Sequence, residues 1–295
     1  MNKTDHMKNN SMNKTDEFDS SASLEMMPIL KADGLVRTYR RGERETKALD
    51  HVSLTLMAGS ILGIVGESGS GKSTLIRHIA CLEKADEGRL FYRGSEYTGS
   101  SPAFTGQYMQ MIFQDAYGSF DPRMPFGRSL REARWMGEDT ALLHELLQKV
   151  KLDESFLSRY PRSVSGGQCQ RLSIVRAVYS GARILLCDEA TSALDVASQA
   201  MVIELLNKLK SEYGISMIFV SHDLGVVSQL CDRVMVMKSG RCVEEGDCLE
   251  VVTHPKDPYT RELLDAVMEV GSEAGIHSPE KEDPALMHVH SAGVM

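Results

Sequence analysis

No stretch of this 295-residue chain approaches the roughly 20 consecutive apolar residues that cross a bilayer. Its first twenty residues are polar and lack the apolar central stretch of a secretory signal. If the protein works at a membrane, a partner does the crossing. Positive charge is in deficit too. The 33 lysines and arginines face 41 aspartates and glutamates, a net −8, which argues against a broad footprint for DNA or RNA. The six cysteines, Cys81, Cys169, Cys187, Cys231, Cys242 and Cys248, contain no Cys-x-x-Cys pair. Zinc ligands usually come in close pairs, so a metal site is the lesser reading. Several cysteines lie in apolar runs such as Leu185-Leu186-Cys187 and read as small buried hydrophobes of a reducing compartment.

What is present is an ordinary globular composition, 42% apolar and 25% charged, at a length fit for one large domain or two modest ones. Residues 1–27, rich in Asn, Lys, Asp and Ser, read as a disordered N-terminal tail. Their twofold Met-Asn-Lys-Thr-Asp string is too short to be a structural unit. The ordered domain is placed at 28–265. Prolines mark the segment beyond 250; Tyr259–Met268 is expected to pack loosely, and 266–295 to form a flexible C-terminal tail. His288 and His290 lie in that tail with no third ligand nearby and read as solvated.

Within the domain, residues 29–39 and 51–57 alternate as strands do, and Ile61–Val65 reads as a buried parallel strand. Helical spacing of Leu75, Ile76, Ile79 and Leu82 predicts a helix over Ser73–Glu83. Residues 115–163 change texture. A turn at Asp121–Pro125 precedes a helix with Leu142, Leu143, Leu146, Leu147 and Val150 on one face. Apolar strands return at 184–187, 217–220 and 234–237. Alternating strands and helices predict an α/β fold with a largely parallel sheet.

Three motifs carry chemistry. Gly66-Glu67-Ser68-Gly69-Ser70-Gly71-Lys72-Ser73, followed by Thr74, is a phosphate-binding loop in strand–loop–helix context. Its glycines let backbone amides close around a phosphate chain, and the following helix adds positive charge. Lys72 is suited to the β- and γ-phosphates of ATP, and the Ser73 hydroxyl to Mg²⁺. Ile184-Leu185-Leu186-Cys187 ends in Asp188, suited to the Mg²⁺ sphere, and Glu189, suited to polarising a water. Ser165-Gly166-Gly167-Gln168 opens an apparent helix, Arg171–Tyr179, and reads as a second anion cradle or as an ordinary capped turn. One nucleotide does not need two cradles from one chain, so the first reading implies a dimer in which each chain closes the other's site.

In this order the three motifs resemble the nucleotide-binding subunit of ABC transporters, over about residues 29–265. The resemblance implies a P-loop NTPase (RecA-like) core, an antiparallel β subdomain and a helical insertion at about 115–165. It implies that Tyr39 stacks on adenine and that Gln114 touches Mg²⁺ and links to a permease. By the same resemblance Ser192-Ala193-Leu194-Asp195 crosses the dimer interface and His222 contacts the γ-phosphate. The implied catalytic set is Glu189, His222 and Gln114; the implied Mg²⁺ set is Ser73, Gln114 and Asp188. The chain departs from the family pattern at Val164, where Leu is usual, and at Cys169, which is expected to make the interface sensitive to thiol reagents.

Phe113–Ser119 with Pro122-Arg123-Met124, and the tail motif His254–Leu264, resemble importers of oligopeptides, dipeptides and nickel. Ala190, where peptide-importer relatives mostly have Pro, hints at nickel. With no cysteine after Cys248, no iron–sulfur site is expected. Such importers imply two permeases, a second ATPase subunit and an extracytoplasmic binding protein, with this chain peripheral on the cytoplasmic face and no nucleic acid bound. A phosphonate-metabolism accessory ATPase is the alternative. A DNA-repair ATPase fits less well, since only roughly ninety residues, without heptads, separate the two cradles.

Overall fold

Apolar–polar alternation carries two 14-residue strands, β1 (Pro28–Arg41) and β2 (Arg44–Met57). They pair antiparallel as one hairpin, with Leu30 opposite Leu56 and Tyr39 opposite Thr46. The first half of β2 escapes a hydropathy reading because Glu45, Thr46 and Lys47 are all exposed. The computed structural model describes residues 28–42, 44–98 and 106–273; the expected tail 1–27 and the C-terminal tail beyond 273, with His288 and His290, lie outside them.

β3 (Ile61–Val65) is buried at all five positions and runs through the glycine-rich loop into α1 (Lys72–Ile79). The helix stops short of the expected Glu83. Cys81 takes a φ of 55°, which no helix continues, and Leu82 is 59% exposed instead of facing the core. β4 (Glu87–Tyr92) and β5 (Ser95–Tyr97) then complete a four-stranded antiparallel sheet in the order β2-β1-β4-β5.

β6 (Met109–Ile112) leads into the helical stretch, α2 (Phe126–Ala133) and α3 (Thr140–Lys149), with short 3₁₀ turns around them. Asp139 caps α3 by accepting from Leu142 N, and the helix buries Leu143, Leu146 and Leu147. Next come α4 (Gly166–Tyr179), β7 (Ile184–Asp188), α5 (Val196–Tyr213), β8 (Ser216–Val220) and α6 (Leu224–Leu230). β9 (Arg233–Lys238), β10 (Arg241–Asp247), α7 (Cys248–Thr253) and α8 (Pro258–Glu273) follow.

The second sheet has the order β10-β9-β3-β8-β7-β6 and is parallel except between β9 and β10. Its strands are continuous apolar runs because both faces are covered. Ile184 and Leu186 of β7 pack with Leu75, Ile76 and the antiparallel sheet; Leu185 and Cys187 pack with α4, α5 and α6 on the other face. Among the described residues, no helix is long and apolar enough to cross a membrane.

One expectation fails here. The stretch from Tyr259 does not pack loosely: Tyr259 is 4% and Leu264 7% exposed, both in the core that covers the second face of the sheet. The turn before α8 is held by Glu244 of β10, whose carboxylate accepts from Lys256 N (2.9 Å) and Asp257 N (3.1 Å).

Candidate active site

Three parallel strands, β3, β7 and β8, end on the same edge, and the chemistry-bearing residues follow those ends. After β3 the chain wraps as Gly66–Gly71. At Gly66, with φ +146°, a Cβ would lie 2.1 Å from Met237 O, so only glycine lets the loop pass β9 this closely. Lys72 is 5% exposed, and its ammonium donates to Gly66 O (2.7 Å) and Glu67 O (2.8 Å). Burial lowers its pKa, against the pull of the Glu189, Asp188 and Glu67 charges. The ammonium is thus held by two loop carbonyls, with the charges of Glu189, Asp188 and Glu67 acting on it.

Ser73, on the first turn of α1, donates to Asp188 Oδ1 at the end of β7 (2.9 Å). Burial pushes the Asp188 carboxyl above its ordinary pKa, with the Ser73 hydrogen bond opposing. The next residue, Glu189, has a φ of +51°, a conformation costing a non-glycine residue about 1–3 kcal/mol. Its amide is fixed by Val220 O (3.1 Å), and His222, just beyond β8, sets Nδ1 3.7 Å from Glu189 Oε2. Lys72, Ser73, Asp188, Glu189 and His222 are therefore gathered in one place. Among the described residues no group of three or more His, Cys, Asp and Glu side chains is arranged to hold a metal. Ser73 and Asp188 instead form the small oxygen-donor set that suits Mg²⁺, which takes one or two carboxylates and completes its shell with substrate phosphates and water.

The other expected site residues stand further off. Gln114 follows β6, beside β7 in the sheet, and is exposed; among the described residues no hydrogen bond ties it to Ser73 or Asp188. Tyr39 is 36% exposed. It pairs with Thr46 of β2, two residues before Ala48, whose carbonyl would be 2.3 Å from a Cβ on Gly71. Its hydroxyl donates to Glu83, and the Arg37 guanidinium lies 4.8 Å over its ring. Neither partner was visible in the sequence pattern.

Ser165 caps α4 in a capping box, its hydroxyl accepting from Gln168 N (3.3 Å) and its amide donating to Gln168 Oε1 (3.0 Å). Ser165 and Gly166 are exposed, and nothing lies within 4 Å of the Gly166 Cβ position. Gly167 approaches Ser198, which is held by Asp195 at the start of α5. Among the described residues no hydrogen bond links this turn to Gly66–Thr74. The expected thiol sensitivity at Cys169 meets a contrary geometry. The side chain is fully buried, and burial pushes its thiol up to about 12.

A family model described as ABC transporter matches residues 49–192. The chain is 43% identical over 231 residues to the oligopeptide transport ATP-binding protein OppF of Escherichia coli (strain K12), covering 75% of this chain and 69% of OppF. The chain belongs to the ABC transporter ATP-binding family. The dipeptide transport ATP-binding protein DppF of Haemophilus influenzae is 38% identical over 257 residues, 82% of this ABC ATPase and 79% of DppF. The dimeric post-hydrolysis structure of the cassette MJ0796, bound to ADP and Pi, superimposes with a TM-score of 0.67 at 28% identity, covering 74% of this chain and 98% of that one. Membership makes this ABC ATPase an ATP-binding, ATP-hydrolysing subunit. Its named relatives bear out the peptide part of the cargo expectation and do not speak for nickel.

Proposed function

We propose that this ABC ATPase is one arm of a peptide importer, binding ATP with Mg²⁺ and driving uptake of oligopeptides or dipeptides through two partner permeases. The observation that carries the reading is the convergence of Lys72, Ser73, Asp188, Glu189 and His222 at the ends of β3, β7 and β8. Relatives named for oligopeptide and dipeptide transport favour peptide as the cargo. Residues 28–265 are the ATPase domain, and the insertion at about 115–165 with Gln114 meets the permease. The chain works peripherally at the cytoplasmic face, beside a second ATPase subunit, with an extracytoplasmic protein delivering the peptide.

In this mechanism the phosphates of ATP lie on the amides of Gly66–Thr74, where the α1 N-terminus adds positive charge. Lys72 keeps its two carbonyl partners, which place the ammonium, and donates its third N–H to a phosphate oxygen. Ser73, Asp188 and Gln114 would hold Mg²⁺, which would neutralise charge on the phosphates. Glu189 orients the attacking water and takes its proton, and His222 holds both Glu189 and the γ-phosphate. Tyr39 offers adenine the ring face opposite Arg37. The outward-facing Ser165–Gln168 turn closes on a second subunit's nucleotide, with Ser192–Asp195 crossing between them. ATP favours the closed pair and its hydrolysis products the open one; that difference moves the permeases.

The test is uptake by cells whose sole copy carries Lys72→Ala. Labelled peptide uptake falls to background while nickel uptake is unchanged. Intact peptide uptake with lost nickel uptake overturns the cargo assignment.

A further inference from the structure

The tail motif His254–Leu264 entered the sequence reading only as a marker of cargo class, yet in the structure it reaches the phosphate loop. We propose that Tyr259 is a positioning residue for ATP binding. Its hydroxyl fixes the Gly66–Glu67 peptide plane that in turn holds Lys72.

Glu67 N donates to the Tyr259 hydroxyl at 3.0 Å. The carbonyl of that same peptide unit, Gly66 O, accepts from Lys72 Nζ at 2.7 Å. A trans peptide is planar and its N–H and C=O point in opposite directions. Tyr259 therefore grips one side of the plane and Lys72 the other, and rotating the plane breaks both bonds. Gly66 stands at φ +146°, where backbone rotation meets no side-chain barrier, so an outside anchor is needed to keep one orientation. Glu67 O extends the effect by accepting from Lys72 Nζ (2.8 Å) and Ser70 N (3.2 Å).

Tyr259 is itself held firmly. Its ring is buried, and Lys238, at the end of β9, lies 4.2 Å from the ring centroid. Its amide donates to Asp257 Oδ1 (2.8 Å), and the preceding turn hangs on Glu244. Arg261 closes the turn on Pro255 O (3.0 Å) and Lys256 O (3.1 Å). The motif's proline, tyrosine and arginine thus build one rigid bracket from β10 to the loop, aimed at its first peptide.

This inference rests on Gly66–Ser73 being the nucleotide cradle. The experiment measures Mg–ATP affinity, KM and kcat for the full-length chain, with Tyr259→Phe, Tyr259→Leu and Lys72→Ala beside it. Tyr259→Phe keeps the ring and the Lys238 contact and removes only the hydroxyl. It is expected to weaken Mg–ATP binding and raise KM about five-fold, the equilibrium worth of one ordinary hydrogen bond, with kcat at the wild-type value. Tyr259→Phe indistinguishable from wild type in affinity and KM, with only Tyr259→Leu impaired, shows the ring to be packing alone and overturns the proposal. So does a kcat loss at unchanged KM. If the wild type binds no Mg–ATP, the cradle reading itself fails and takes this inference with it. If the wild type binds, Lys72→Ala does not and Tyr259→Phe matches wild type, Tyr259 alone is refuted.

Discussion

Ser73 donates its hydroxyl to Asp188 at 2.9 Å, tying the first turn of α1 to the end of β7. The pair sets two oxygen donors side by side where burial has already raised the cost of the Asp188 charge. A cation between them relieves that cost. Ser73→Ala or Asp188→Asn should therefore cut turnover by about 10²–10³, and should weaken binding of Mg–ATP more than of ATP with chelator. Steady-state ATPase assays across a magnesium series check this. Parallel weakening with and without magnesium would place the pair outside the cation's shell.

Asp50 reaches the loop through Gly240. Its carboxylate accepts from Lys47, His51 and Arg241, and its amide donates to Gly240 O, while Gly240 N donates to Ser70 O. Hydrogen bonds from Lys47, His51 and Arg241 hold its pKa below the ordinary 3.8. A depressed carboxylate stabilises the fold above its unfolded pKa and loses that contribution as pH falls through its folded value. Thermal midpoints of wild type and Asp50→Asn should differ most at neutral pH and converge as pH drops below about 4. A gap that widens in acid would reverse the sign of this account.

Cys169 lies one residue past the Ser165–Gln168 turn, fully buried with its thiol pushed up to about 12. The thiolate is the reactive species, so native Cys169 should resist alkylation at pH 8 and react only after unfolding. Peptide mapping after labelling decides. Rapid native labelling of Cys169 is the contrary outcome.

The phosphate loop and the Asp188-Glu189 pair were legible because each is a run of neighbouring residues whose strand and loop context lies beside it in the chain. The order of three such runs then fixed the family. Contacts made across the fold were not legible. Tyr259 meets Glu67 across 192 residues, and nothing local marks a tyrosine as a loop anchor rather than a core ring. The first half of β2 was hidden because exposed charged residues carry no hydropathy signal there. The expectation for Cys169 came from its place beside the Ser165–Gln168 turn, and the burial that opposes it is made by packing across the fold, which no local pattern shows.

In the proposed function, Glu189 drives hydrolysis at a site that two subunits close together. Glu189 holds a strained φ of +51°, and its Oε2 lies 3.7 Å from His222 Nδ1. The direct measurement is ATP turnover and light-scattering mass of Glu189→Gln, alone and with its partner ATPase subunit. Turnover should fall by ~10²–10⁴ while ATP binding persists and ATP alone locks a stable pair. Hydrolysis at the wild-type rate, or loss of ATP binding, would contradict the account.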